Sequence, residues 1–167
     1  MRPAVVVVMG VSGCGKTTVA KRLAERLGWR YAEADEFHSP QNVAKMRSGT
    51  PLTDEDRGPW LAAIAEWIDA SRAAGTPGVV TCSALKKRYR DILIGARHDV
   101  ALVHLAGDYD LIAGRMASRP HHYMPVSLLK SQFDALEPPG IDENALAVPI
   151  DADPETIVSA IVRSLSP

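Results

Sequence analysis

The sequence predicts an α/β fold: a three-layer sandwich with a five-stranded, mostly parallel sheet, helices on both faces and a mobile lid. Three observations predict it. Short apolar runs alternate with stretches of helical periodicity along the whole chain, the pattern of successive βα units and a parallel sheet. The first run, Val5-Val6-Val7-Val8-Met9, is apolar at every position, as a strand covered on both faces requires. A glycine-rich turn leads from that run into helical spacing, and open α/β sheets bind ligands where their strands end.

The 167 residues, 46% of them hydrophobic, suffice for one sizeable core and are few for two. A single domain over residues 1–167 is therefore expected, with a lid at about residues 115–130. A formal charge of −1 lacks the cationic excess of a nucleic-acid or membrane-surface binder. The valine run is too short to span a bilayer and has no small-residue cleavage site behind it. Cys14 and Cys82 fit neither a disulfide framework nor a metal-ligand spacing, so the cytoplasm is the expected compartment.

Taken in order, residues 4–8 form the first strand, and Val19, Ala20, Leu23, Ala24 and Leu27 give a helix that Gly28 stops. Residues 29–35 read as a second strand. Ser39-Pro40 opens a short helix that closes at Gly49, and Thr53 and Pro59 mark further helix starts. Trp60, Ile64, Trp67, Ile68 and Ser71 trace one helical face, ended by Gly75-Thr76-Pro77-Gly78. Strands over 79–82, 100–105 and 145–150 alternate with helices over 84–94, 108–118 and 128–136, and Pro154 opens the last helix. Arg119-Pro120-His121-His122-Tyr123-Met124-Pro125 interrupts the rhythm, within the segment expected as the lid.

Gly10-Val11-Ser12-Gly13-Cys14-Gly15-Lys16-Thr17 satisfies G-x-x-x-x-G-K-[ST] between a predicted strand and a predicted helix. Glycines permit a turn whose N–H groups point at phosphate oxygens, and the helix start adds its positive end. Lys16 supplies charge to the β and γ phosphates of a nucleotide, the Thr17 hydroxyl is placed for Mg²⁺, and Thr18 is expected to bind the nucleotide with the loop. Cys14 reads as a small loop residue rather than a redox switch. Such a loop alone does not separate a kinase from a GTPase, an ATPase or a regulator.

Glu33-Ala34-Asp35-Glu36-Phe37-His38 sits where the second strand is expected to end. Transfer to an alcohol needs a group that takes the hydroxyl proton and another that holds the metal. Carboxylates at i and i+2 of a strand, Glu33 and Asp35, would point the same way. The third strand ends Thr81-Cys82-Ser83 without an acid, which increases the demand on both.

At this segment the sequence resembles the gluconokinase family of small P-loop kinases, whose pattern D-G-D-x-x-H is met by Glu33, Ala34, Asp35 and His38. The resemblance continues through Asn42, Lys45-Met46, Asp56-Arg57, Pro59-Trp60-Leu61, Cys82-Ser83-Ala84-Leu85-Lys86-Lys87 and Tyr89-Arg90-Asp91. It ends with His122, Met124, Ser131-Gln132-Phe133 and Leu136-Glu137-Pro138, in family order over most of the chain. Two positions depart from the family: Glu33 replaces an aspartate and His121 a lid glycine.

The resemblance implies a P-loop kinase-like fold, ATP and Mg²⁺ as cofactors, gluconate as substrate and a homodimer. Within it Asp35 orients and deprotonates the acceptor hydroxyl and Glu33 assists the metal. Arg57 suits a carboxylate better than lysine does, unless it pairs with Asp54 or Asp56. Lys86 is placed to reach substrate. His38 is open between substrate contact and helix capping, and Lys87, Arg88 and Arg90 read as a solvated helix face. Arg115 and Arg119 either swing onto the phosphates when the lid closes or simply end a helix, and His122 is read the same way. Asp153, in Asp151-Ala152-Asp153-Pro154, lies where related kinases wrap adenine, although as sequence it is a capped turn. Trp60 and Trp67 read as core before sugar platforms. A kinase for another small hydroxy acid such as shikimate, and a non-catalytic nucleotide-binding regulator, remain the alternatives.

Overall fold

Residues 2–117 and 126–165 are described by the computed structural model of the chain. Five strands form one sheet in the order β2-β3-β1-β4-β5, and every registered pair is parallel. They are β1 (Val5–Met9), β2 (Arg30–Ala32), β3 (Gly78–Thr81), β4 (Val100–Ala106) and β5 (Leu146–Pro149). The central strand is β1, whose five residues are fully buried. Its side chains alternate: Val6 and Val8 enter one core cluster, Val5, Val7 and Met9 the other. A run without polar alternation thus separates two cores.

The helices are α1 (Lys16–Leu27), α2 (Pro40–Arg47), α3 (Asp54–Ala74), α4 (Lys87–Leu93), α5 (Tyr109–Ala117), α6 (Val126–Ala135) and α7 (Pro154–Leu165). On one face α1 and α7 bring Val19, Leu23, Ile157 and Ile161 against the sheet together with Ile112 and Leu129. On the other, α3 supplies Trp60, Leu61, Ile64 and Ile68, and α4 supplies Tyr89 and Leu93. The three expected layers are present.

Three expected elements are revised. The second strand stops at Ala32, because the Ala34 N–H goes to the Thr81 hydroxyl (3.2 Å) and the chain turns into a 3-10 helix, Ala34–Phe37. Thr53 and Pro59 do not start separate helices. Thr53 caps α3 in a reciprocal box with Asp56, and Pro59 is carried inside the helix. The helix expected from residue 84 begins only at Lys87, since Ala84 is held at φ 46 in left-handed conformation and Lys86 is extended.

Arg90 explains that delay and corrects its own reading as a solvated residue. It is 2% exposed. Its Nε and Nη2 donate to Glu143 at 2.6 and 3.1 Å, and its Nη1 donates to the Ala84 carbonyl at 2.9 Å. A buried fork therefore ties α4 to the 3-10 turn Ile141–Glu143 and fixes the loop before α4.

Two stability outcomes follow. Gly78 lies against the Trp67 ring, where a Cβ would come within 2.5 Å of Cη2; Gly78→Ala should cost about 1–3 kcal/mol in urea titration by overpacking. Glu143→Ala should cost about 3–5 kcal/mol, because it leaves the Arg90 charge buried alone. The Arg90 hydrogen bonds hold the Glu143 carboxyl below its ordinary value. Its contribution is therefore complete above the unfolded carboxylate pKa of about 4.3 and is lost as pH falls through the folded value. The stability gap between the parent protein and Glu143→Gln should accordingly shrink below about pH 4; a gap constant from pH 7 to pH 3 would contradict this assignment.

Candidate active site

The loop from Gly10 to Thr17 leaves β1 at its carboxyl end and delivers the chain into α1. Gly15 takes φ 94 at the helix start, a conformation that costs a side chain strain. Gly13 has φ 83 and would place a Cβ 2.8 Å from Met116 Cγ, so the loop also packs tightly on α5. The Lys16 ammonium curls back over the loop to the Gly10 and Val11 carbonyls at 2.9 and 3.1 Å. Thr17 and Thr18 are exposed in the first turn of α1. Cys14 is buried beside them, and burial pushes its thiol pKa up against the pull of Lys16, as expected of a packing residue. Burial pushes Cys82 up to about 12.

The acidic segment is set by one pinned peptide. The Ala34 N–H donates to Thr81 Oγ1, and the Ala34 carbonyl accepts from Trp60 Nε1 at 2.8 Å. On its N-terminal side Glu33 is extended, and its Oε1 accepts from the Thr17 hydroxyl at 2.6 Å. The other oxygen, Glu33 Oε2, is buried without a hydrogen-bond partner among the described residues. On the C-terminal side Asp35 is exposed within the 3-10 turn. Glu33 and Asp35 are thus not aligned by strand alternation, because the chain leaves the strand before either. Asp35 lies within electrostatic reach of the same thiol as the phosphate-loop lysine: Cys82, just beyond β3, feels both the Lys16 ammonium and the Asp35 carboxylate. Thr17 and Glu33 form an oxygen pair of the kind that holds Mg²⁺ alongside phosphate and water. The described residues contain no cluster of three acidic, His or Cys side chains that would hold a metal unaided.

His38 stacks flat on Trp60, with ring centroids 4.2 Å apart at 10°. The Asn42 amide nitrogen donates to the Asp56 carbonyl at 2.9 Å and lies 3.3 Å from His38 Nδ1. A carbonyl can only accept, so the amide nitrogen faces both, and Nδ1 accepts while Nε2 carries the proton. Burial lowers the His38 pKa, keeping the ring neutral near pH 7. Capping of α2 falls instead to Ser39, whose Oγ accepts from Asn42 N. Trp60 is 7% exposed and belongs to the core, yet its ring orients this histidine.

Arg57 does not pair with Asp54 or Asp56, since Lys45 takes Asp56 and Arg88 and Tyr89 take Asp54. Its Nη1 donates to the Leu52 carbonyl at 2.9 Å, and its guanidinium lies 5.7 Å from the Tyr89 ring. Lys86 Nζ lies 6.0 Å from that ring and Arg88 5.5 Å. Arg57 of α3, Lys86 just before α4 and Arg88 of α4 therefore gather around Tyr89, a grouping not expected from the sequence. The repeated cations in a short span were the available signal; only the fold reveals a shared ring.

Arg115 donates to the Ile150 carbonyl and so reaches the loop that holds Asp153. Asp153 caps α7, its Oδ1 accepting from Thr156 N at 2.8 Å, and that bond holds its carboxyl below the usual range. A base at this loop would meet backbone rather than the Asp153 carboxylate. Arg119, His121 and His122, with the central part of the expected lid, lie outside the described residues. Gln132 was quoted only within a motif, yet it meets Ser12 twice: Oε1 accepts from Ser12 N at 2.6 Å and Nε2 donates to Ser12 Oγ at 2.9 Å.

A family model described as "AAA domain" matches residues 5–139. Among curated proteins, the gluconokinase of Gluconobacter oxydans (strain 621H) is 46% identical over 163 residues, covering 98% of this chain and 92% of that protein. The thermoresistant gluconokinase of Escherichia coli (strain K12) is 39% identical over 158 residues, covering 94% and 90%. The solved structure of a gluconokinase from Sinorhizobium meliloti 1021 superposes with a TM-score of 0.88 at 44% identity, covering 98% of this chain and 91% of that one. Shikimate kinase from Aquifex aeolicus, at 15% identity and a TM-score of 0.61, covers 96% of this chain and 95% of its own and shares the fold. Identity of this level over nearly the full length is decisive: the chain belongs to the gluconokinase family.

Proposed function

We propose that this chain transfers the γ-phosphate of ATP to the terminal hydroxyl of gluconate, giving 6-phosphogluconate, as a homodimer in the cytoplasm. The observation that carries the reaction is the Thr17 to Glu33 hydrogen bond, with Glu33 Oε2 buried and unpartnered beside it. An orphaned carboxylate oxygen against a P-loop hydroxyl is costly unless it serves a cation and its water. Mg²⁺ held there would neutralise charge between the β and γ phosphates. The acceptor follows from the relatives, which are gluconokinases over nearly their whole length. Among the described residues no helix is long and apolar enough to cross a membrane.

Lys16 holds the transferring phosphate by turning from the Gly10 and Val11 carbonyls. Asp35, exposed at the mouth, accepts the hydroxyl proton as the oxygen forms its bond to phosphorus and the bond to the β-phosphate oxygen breaks. Neutral His38 offers its Nε2–H to a sugar oxygen, an orientation that Asn42 and Trp60 fix. Arg57 and Lys86, converging over Tyr89, meet the gluconate carboxylate. Arg115 and the loop of Asp153 flank adenine, and Arg119 and His122 belong to this reading as phosphate and substrate contacts of the lid.

A coupled assay with gluconate, ATP and Mg²⁺ should register turnover. ATP binding without any turnover on gluconate would remove that acceptor. Asp35→Asn should lower kcat by about 10²- to 10⁴-fold with the Kd for ATP nearly unchanged, since the amide keeps the shape and cannot take the proton. Lys16→Ala should impair nucleotide handling whatever the acceptor. A variant at Asp35 as active as the parent would remove the base assignment.

A further inference from the structure

The Ser131-Gln132-Phe133 and Leu136-Glu137-Pro138 blocks have no part in the chemistry above. Their placement gives them one. α6 is anchored through Leu129, which is fully buried, and through Phe133, packed edge-on to Tyr109 at 5.7 Å. Leu136 packs on both core clusters. With the apolar side so committed, Gln132 closes a two-point clasp on Ser12 at the third position after β1, at 2.6 and 2.9 Å.

Five residues further on, the Glu137 N–H donates to the Leu85 carbonyl at 2.7 Å and its Oε1 accepts from Lys87 N at 3.0 Å. These two bonds bracket Lys86. The loop they hold also contains Ala84, which carries a left-handed φ without being glycine. A single short stretch therefore grips the phosphate loop with one amide and the Lys86 loop with one carboxylate and one peptide. Neither clasp is needed to bury apolar surface, which Leu129, Phe133 and Leu136 already do.

We propose that Gln132 and Glu137 are positioning residues forming one brace that sets the spacing between the phosphate loop and the acceptor loop. This rests on the reading of Lys86 as an acceptor contact. Reacting atoms must approach to about 3–3.5 Å, and an error near 1 Å costs about 10²-fold in rate. Two loops from different strands, which also meet at their roots where Gly10 N donates to the Ser83 carbonyl at 3.3 Å, gain a second link farther out, at the level of the site.

The test uses the full-length protein with Gln132→Met, which keeps length and loses both hydrogen bonds, and Glu137→Ala. Conservative partners are Gln132→Glu, which keeps an acceptor for Ser12 N, and Glu137→Gln, which keeps one for Lys87 N. With gluconate and ATP, Gln132→Met should lower kcat about tenfold or more while the Kd for ATP changes less than about threefold. Glu137→Ala should lower kcat and raise the gluconate KM with nucleotide affinity unchanged, and Glu137→Gln should restore most of the loss. Amide exchange followed by NMR should quicken at Ser12 in Gln132→Met and at Lys87 in Glu137→Ala. That readout needs no acceptor, so it stands even if gluconate proves to be the wrong substrate. Unchanged exchange at both amides, or kcat and KM within twofold of the parent in both variants, would overturn the brace. So would equal losses in the conservative variants accompanied by a matching drop in melting temperature, because that outcome assigns the contacts to general stability.

Discussion

Everything at the site depends on β1 being hydrogen-bonded along both edges. Its register with β3 runs Val5 to Gly78 through Val8 to Thr81, and with β4 from Val5 to Val100 through Met9 to His104. Three strand ends are thereby held level. The phosphate loop leaves β1, the Thr81-Cys82-Ser83 segment leaves β3, and the neighbouring β2 ends one step short, at Ala32 paired with Val80. The pairing continues past the strands: Cys82 N reaches the Val8 carbonyl at 3.0 Å and Gly10 N the Ser83 carbonyl at 3.3 Å. A loop whose own conformation depends on glycines is thus rooted in the most buried part of the sheet, which limits the entropy left to lose when a phosphate arrives.

The acceptor side is held differently, by side chains reaching backbone. Thr81 and Trp60 grip the Ala34 peptide, Arg90 grips the Ala84 carbonyl, Arg57 grips the Leu52 carbonyl and Asn42 grips that of Asp56. The Ala34, Ala84 and Leu52 groups lie outside the α-helices and strands, where a buried carbonyl or N–H needs such a partner, and Asn42 adds a bond to the first turn of α3. Cationic density is the other common feature: Arg57, Lys86 and Arg88 surround a tyrosine whose hydroxyl is bound to Asp54. Mutual repulsion is relieved by that carboxylate and by the ring faces, which keeps the three cations close together.

How much of this was legible in the chain follows from the range of the interactions. The phosphate loop was, because strand, turn and helix are contiguous and the glycines report local geometry. The continuous valines announced a strand between two cores for the same reason. Asp35, Lys16 and Thr17 were legible as types, whereas the alignment of Glu33 with Asp35 was not. It required knowing that Thr81, 47 residues beyond Ala34, would capture a peptide and end the strand. The extended stretch before α4 and the burial of Arg90 were hidden likewise, since Glu143 lies 53 residues away. Gln132 is the extreme case, 120 residues from Ser12. Sequence spacing carries no record of such contacts, although a quoted motif can mark their place.

The departure at Glu33 then has a physical reading. The carboxylate of an aspartate would sit one methylene nearer the backbone of this extended residue. Glu33 spans the gap: one oxygen reaches the Thr17 hydroxyl at 2.6 Å while the other stays buried beside it. The longer side chain has more rotamers to lose on ordering, and the Thr17 bond supplies the restraint. The pinned Ala34 peptide supplies the other, because it fixes the backbone on which Glu33 pivots. The extra methylene is taken up by reach: Glu33 spans the distance from the pinned Ala34 peptide to the Thr17 hydroxyl.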